Sequence, residues 1–266
     1  MPRLSVAPIL AALLAAPLPA SAQGGPAHTT IIPGWRSDDG AHVAAIDIRL
    51  APGWHTYWRA PGAAGIPPQF DWSASENLRA VRYEWPRPVV FESYGLTAIG
   101  YERRLTLPVR LEAIDPSKPI TARVEMFYGV CDDICVPAEA SLEALLPASG
   151  PPTGQLDIES ALARRAVSAA TAGIASVTCT LTPDGNGYAL TTEVTFASPP
   201  GPGQHAVVEA ADSALWIGLP ESHMDGNRLV AHTRIEGGSV IDRSDLRVTV
   251  IDPTRAVDIL GCDAPG

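Results

Sequence analysis

From Ile120 to Tyr128 the chain alternates with period two: Ile120, Ala122, Val124, Met126 and Tyr128 share one face, while Thr121, Arg123 and Glu125 share the other. Successive side chains of an extended backbone point to opposite sides, so this pattern describes a half-buried antiparallel strand. The run leads directly into Cys131, and Cys135 follows shortly after, which sets a cysteine pair at a strand end or hairpin tip. Comparable alternation over His42–Leu50, Val81–Trp85 and Arg104–Leu111, punctuated by 26 Pro and 23 Gly, predicts an all-β, turn-rich chain.

The first residues read as a secretory signal over 1–22. Arg3 gives the positive start, Val6–Leu18 the apolar run and Ala20-Ser21-Ala22 the small-residue cleavage site, so the mature chain is expected to begin at Gln23. No cysteine follows that site to carry a lipid, and no later apolar run approaches the ~20 residues a bilayer requires. The expected location is the periplasm, without membrane insertion after cleavage. The formal charge is −10, one unit more negative once Arg3 is removed, which argues against nucleic acid and anionic membrane surfaces as partners.

Two immunoglobulin-like β-sandwich domains joined by a short helical connector fit the pattern. The expected boundaries are a first sandwich over 27–150, a connector helix over 151–173 and a second sandwich over 174–266. Pro147–Gly154 is a Pro/Gly/Ser-rich break, and Leu156–Ala172 reads as one helix, with Asp157 as its cap and Ile158, Leu162 and Val167 for an apolar stripe. Beyond it, Ser176–Leu181 and Tyr188–Phe196 flank Asp184-Gly185-Asn186-Gly187, a hairpin turn. Further strands are expected at His205–Glu209, Arg228–Ile235, Leu246–Ile251 and Ala256–Leu260. Trp216, in a strand region, is expected in the core.

Cys131, Cys135, Cys179 and Cys262 allow three pairings, and spacing alone does not choose among them. Domain layout favours Cys131 with Cys135 and Cys179 with Cys262, since the last two open and close the second sandwich. On loop entropy, the long bridge is worth roughly 4 to 5 kcal/mol and the short one only about 2. The long bridge therefore reads as a structural disulfide. The short ring makes a poor staple and is more easily opened, which suits exchange in an oxidising compartment. Asp132 and Asp133 place negative charge between the two sulfurs, so they disfavour thiolate and raise the cysteine pKa. A thiol of that kind reacts slowly with chance disulfides and waits for a dedicated partner.

Two other readings of the same residues stay open. Cys131 and Cys135, with Met126 or His55, could hold Cu(I), which favours soft sulfur ligands; a fixed structural clip is the third reading. His55 lies in Gly53-Trp54-His55-Thr56-Tyr57-Trp58, where burial or stacking is its ordinary role, and Met126 falls on the inward face of its strand. No Cys/His cluster has zinc spacing, no Gly-x-Ser-x-Gly occurs, and no glycine-rich phosphate loop precedes the helix. No organic cofactor is expected.

Three segments carry a resemblance: Phe91-Glu92-Ser93-Tyr94-Gly95, Tyr101 through Pro108, and Tyr128-Gly129-Val130-Cys131 through Cys135-Val136-Pro137. In order and spacing they resemble the periplasmic N-terminal (alpha) domain of the thiol:disulfide interchange protein DsbD family, and more closely its ScsB-like, copper-stress-associated branch, over about Gly34–Leu146. The resemblance implies an immunoglobulin-like sandwich whose cysteines receive electrons from a membrane thiol-electron transporter and pass them to thioredoxin-like periplasmic proteins. By position, Cys135 matches the cysteine that forms the mixed disulfide and Cys131 the one that resolves it. Tyr128 matches an active-site tyrosine, and Glu92, Tyr94 and Gly95 match the capping loop. This chain departs from the family in having Ser93 where a Phe caps the disulfide, which leaves shielding to Phe91 or Tyr94. Its cysteines are also more closely spaced, and with neither an electron conduit nor a thioredoxin-like domain its electrons are expected from another polypeptide.

Overall fold

The computed structural model of the chain describes residues 25–62, 65–93, 95–212, 214–237 and 241–265. The expected signal, Gln23 and Tyr94 lie outside the described residues.

The first body is built from ten strands: β1 (Ala27–Arg36), β2 (His42–Leu50), β3 (His55–Tyr57), β4 (Gln69–Asp71), β5 (Leu78–Tyr83), β6 (Val89–Ser93), β7 (Leu96–Glu102), β8 (Arg104–Ala113), β9 (Ile120–Cys131) and β10 (Cys135–Leu146). They form a sandwich of one sheet ordered β1-β2-β8-β5 and a second ordered β10-β9-β3-β7-β6, with β4 also on β9. The even-numbered residues Ile120–Val130 of β9 face inward, where they meet Ala44, Ile46 and Ile48 of β2 and Leu105, Leu107, Val109 and Leu111 of β8. Each such aliphatic side chain contributes on the order of 1.5–3 kcal/mol by leaving water, which fixes the register of β9 and with it the direction Cys131 must point.

β2 is buried on both faces from His42 to Ile48. The reason is the connector, which begins with helix α1 (Gln155–Leu162) and lays Ile158 against Val43 and Ala45 on the outer side of the first sheet. Asp47 on the same outer side is paired with Arg104 at 2.6 Å and Arg49 at 3.0 Å, and Arg104 reaches on to Asp157 in the first turn of α1 at 3.0 Å.

The single helix expected over Leu156–Ala172 is instead α1, a two-residue strand β11 (Val167–Ser168) and the short helix α2 (Ala169–Ala172). Val167 is taken from the helix because it pairs in parallel with Val257 at the edge of a sheet of the second body. The α1 cap is Gly154, left-handed at φ 65°, so Asp157 supports the positive helix end from inside the first turn and does not cap it.

The second body comprises β12 (Ile174–Asp184), β13 (Gly187–Phe196), β14 (His205–Ala210), β15 (Trp216–Ile217), β16 (Glu221–Asp225), β17 (Arg228–Glu236), β18 (Leu246–Ile251) and β19 (Ala256–Leu260). One sheet is ordered β11-β19-β18-β14 and the other β12-β13-β17-β15, with β16 on β17, around a separate core. The chain is thus all-β, two packed sandwiches with a short helical connector. Cys179 of β12 is bonded to Cys262, which follows β19, with Cα atoms 5.6 Å apart.

The two bodies are joined through side chains. Arg59 grips Glu209 through Nε at 2.9 Å and Nη2 at 2.8 Å while its guanidinium lies 4.0 Å from the Trp58 ring centroid. Val207, Ile251 and Ala256 of the second body belong to the core cluster of the first. Trp216 is 57% exposed, so it is not a core residue, and it lines a cavity of about 620 Å³ between the bodies with Arg59, Pro61 and Leu219.

Candidate functional site

The β9–β10 hairpin turns over Asp132, Asp133 and Ile134, with the Asp132 N–H donating to the Ile134 carbonyl at 3.1 Å. Cys131 and Cys135 are therefore direct cross-strand partners, and they are bonded as a disulfide with Cα atoms 4.1 Å apart. Because the inward positions of β9 are even-numbered, Cys131 falls on the outer face of its sheet. It is nonetheless fully buried, in a small cluster with Tyr57, Ala98 and the partly buried Phe91 that is separate from the main core. Cys135 is exposed.

Tyr57 covers the inner sulfur. Its ring is completely buried, and its hydroxyl donates to Cys131 Sγ at 2.9 Å and lies 3.4 Å from Cys135 Sγ. Two glycines make room for it: a Cβ on Gly129, beneath the ring, would come within 3.1 Å of the ring, and one on Gly65, in the loop that covers it, within 2.7 Å. β3, wedged between β9 and β7, is short, and Thr56 anchors it by donating to the Gly129 carbonyl at 2.8 Å.

His55 stands opposite Cys131 on one side and Glu102 on the other. Its ring meets Tyr57 edge-on at 5.4 Å and Phe91 at 4.6 Å. Burial holds the imidazole below its ordinary pKa, against the opposing pull of the Glu102 and Asp132 carboxylates. Asp132 turns its carboxylate toward Gly53, where a Cβ would lie 3.2 Å from either oxygen.

Among the described residues, Phe91 is the aromatic that β6 brings to the disulfide. Glu92, next to it, is exposed, and Ser93 is buried opposite Leu96. Asp132 and Asp133 are both exposed at the hairpin tip. Tyr128 points into the main core, and its hydroxyl pairs with Thr29 at 2.7 Å. Met126 lies on that same inward face, across from Phe70 and Ala140, so it is not brought to the sulfurs, and the copper set that includes it is not assembled. No group of three or more His, Cys, Asp or Glu able to hold a metal occurs among the described residues. Sequence reasoning missed the part Tyr57 plays: the residue was visible in an aromatic-rich segment, but Cys131 and Gly129, which give its hydroxyl a partner and its ring a space, lie more than seventy residues on.

A disulfide with one sulfur sealed beneath a hydroxyl donor and the other open to solvent, at the tip of a hairpin on an immunoglobulin-like sandwich, has the layout of a thiol–disulfide exchange module. Residues 27–147 match the family model described as thiol:disulfide interchange protein DsbD, N-terminal. The match spans the first sandwich and supports the DsbD N-terminal domain family there, a periplasmic domain family associated with thiol–disulfide exchange; the second sandwich lies outside it. No curated protein matches the chain. No helix among the described residues is long and apolar enough to cross a membrane.

Proposed function

We propose that the chain is a periplasmic thiol–disulfide exchange protein, related to the ScsB-like branch, that carries electrons between a membrane thiol-electron transporter on another chain and thioredoxin-like periplasmic proteins. The observation that supports this reading is the unequal burial of one bridge: Cys135 is exposed, whereas Cys131 is wholly enclosed under Tyr57.

Exchange begins when a partner thiolate attacks Cys135 Sγ, the sulfur that a protein surface can reach. A bond forms between the partner sulfur and Cys135, the Cys131–Cys135 bond breaks, and its electron pair remains on Cys131 Sγ as a thiolate. The Tyr57 hydroxyl, at 2.9 Å, already faces that atom and stabilises the charge until a proton arrives from water. The partner's second thiolate then displaces Cys135, so that the partner departs as a disulfide and the chain keeps two thiols and two electrons. Delivery is the reverse: Cys135 thiolate attacks an oxidised client, and Cys131 resolves the mixed disulfide. Phe91 and the hairpin tip limit which surfaces approach. No step requires a bound cofactor.

The test is covalent trapping in the exported protein. Cys131→Ser should accumulate a mixed disulfide through Cys135 with a thioredoxin-like or membrane partner on a non-reducing gel, and Cys135→Ser should not. Equal trapping by both variants, or by neither, overturns the assignment.

A further inference from the structure

Carboxylates lie next to the exposed sulfur. Asp132 and Asp133 occupy two of the three hairpin positions between the cysteines, and the charges that act on the adjacent His55 ring are the carboxylates of Glu102 and Asp132. The whole chain adds a formal charge of −10. Beside these carboxylates Ile134, the residue immediately before Cys135, is 66% exposed. An exposed apolar side chain next to a sulfur that must be reached by another protein belongs to a docking surface, and the charges around it select what docks.

We infer that the exchange partner of Cys135 is a thiol protein whose surface beside its reactive cysteine is positively charged, and that Asp132 and Asp133 discriminate against partners bearing an anionic rim. This rests on the exchange reading above and adds the chemistry of the partner to it. The attacking group is itself an anion, so every thiolate meets repulsion from these carboxylates as it nears Cys135 Sγ. A cationic group on the same partner offsets that repulsion, whereas an anionic one compounds it. The bonds made and broken are those already described; only the approach differs.

For two unit charges taken at ~7 Å from the reacting sulfur in a water-like dielectric, Coulomb's law with screening gives about a five- to tenfold rate difference between attackers that differ by two charge units at ~0.1 M salt. The difference falls toward unity near 1 M salt, where the screening length is about 3 Å.

Small thiols of graded charge serve as probes: cysteamine, 2-mercaptoethanol and 2-mercaptoethanesulfonate. Opening of the Cys131–Cys135 bridge in the oxidised protein is followed by trapping and mass spectrometry of Cys135 peptides, with each rate expressed per thiolate. The expected order is cysteamine fastest and the sulfonate slowest. The spread should be compressed by salt, and Asp132→Asn/Asp133→Asn should reduce it to within about twofold, by removing the local charge. An equal spread in the parent protein and the double variant, or a spread insensitive to salt, overturns the inference while leaving exchange at Cys135 intact. Failure of all three thiols to open the bridge overturns both.

Discussion

Replacing Tyr57 by Phe removes one hydroxyl and keeps the ring that fills the space between Gly129 and the loop around Gly65. In the oxidised protein the bond from this hydroxyl to Cys131 is a weak hydrogen bond to a neutral sulfur. In the exchange transition state the same hydroxyl faces a sulfur on which negative charge is growing. A hydrogen bond to a charged acceptor is worth about 1.5–3 kcal/mol, so its loss should raise the pKa of the Cys131 leaving group by about 1.5 units. With a leaving-group sensitivity taken to be of the same size as that of the attacking thiol, about 0.4–0.5, the rate of opening by a thiol should fall about fivefold. The assay is stopped-flow reduction by dithiothreitol at fixed thiolate concentration, comparing Tyr57→Phe with the parent and checking by thermal unfolding that the fold is retained. A rate unchanged within a factor of two, with the fold intact, would refute the role given to the hydroxyl at 2.9 Å from Cys131 Sγ.

In the reduced protein the Cys135 thiol should titrate above the ordinary ~8.5, because the neighbouring carboxylates disfavour thiolate. Thiolate absorbance against pH measures this, Asp132→Asn/Asp133→Asn should lower the midpoint, and a midpoint below about 7 would contradict the reading. Gly129→Ala would place a Cβ 2.9 Å from that of Ile66 and 3.1 Å from the Tyr57 ring. About 1–3 kcal/mol of stability should be lost and opening of the bridge slowed as the Tyr57 hydroxyl is displaced, measurable by urea unfolding and reduction kinetics. For Asp252, burial pushes the carboxyl pKa up, but hydrogen bonds from Thr254, the Arg255 N–H and Gln204 outweigh it and hold the group at about 2. A folded pKa below the unfolded value means stability that is fully present above ~4 and lost as pH falls toward ~2, up to about 2 kcal/mol. Asp252→Asn should therefore flatten acid unfolding over that window, and an unchanged acid limb would remove Asp252 from the account.

Much of the first sandwich was legible because β9 is solvated on one side and packed on the other along most of its length, so its alternation is clean. The same parity places Met126 and Cys131, an odd number of residues apart, on opposite faces, which a strict strand reading already implies. The two-sided burial of β2 has another origin, since its outer neighbours come from α1, more than a hundred residues later in the chain. The split of the expected helix has a trace in the spacing: Val167, nine residues after Ile158 and five after Leu162, falls off their helical face, and the distant strand β19 offers it a parallel partner. The cysteine pair was visible in the sequence, whereas the part played by Tyr57 was not, because a buried hydroxyl acquires meaning only when the fold sets a sulfur beside it.

The docking of Val207, Ile251 and Ala256 into the neighbouring core has a practical corollary for anyone preparing the first sandwich by itself. A fragment cut near residue 150 would uncover a greasy patch, and would leave Arg59 without the carboxylate that Glu209 supplies. Such a truncated product should self-associate in solution, so the behaviour of an isolated fragment is a poor guide to how the intact polypeptide presents its disulfide.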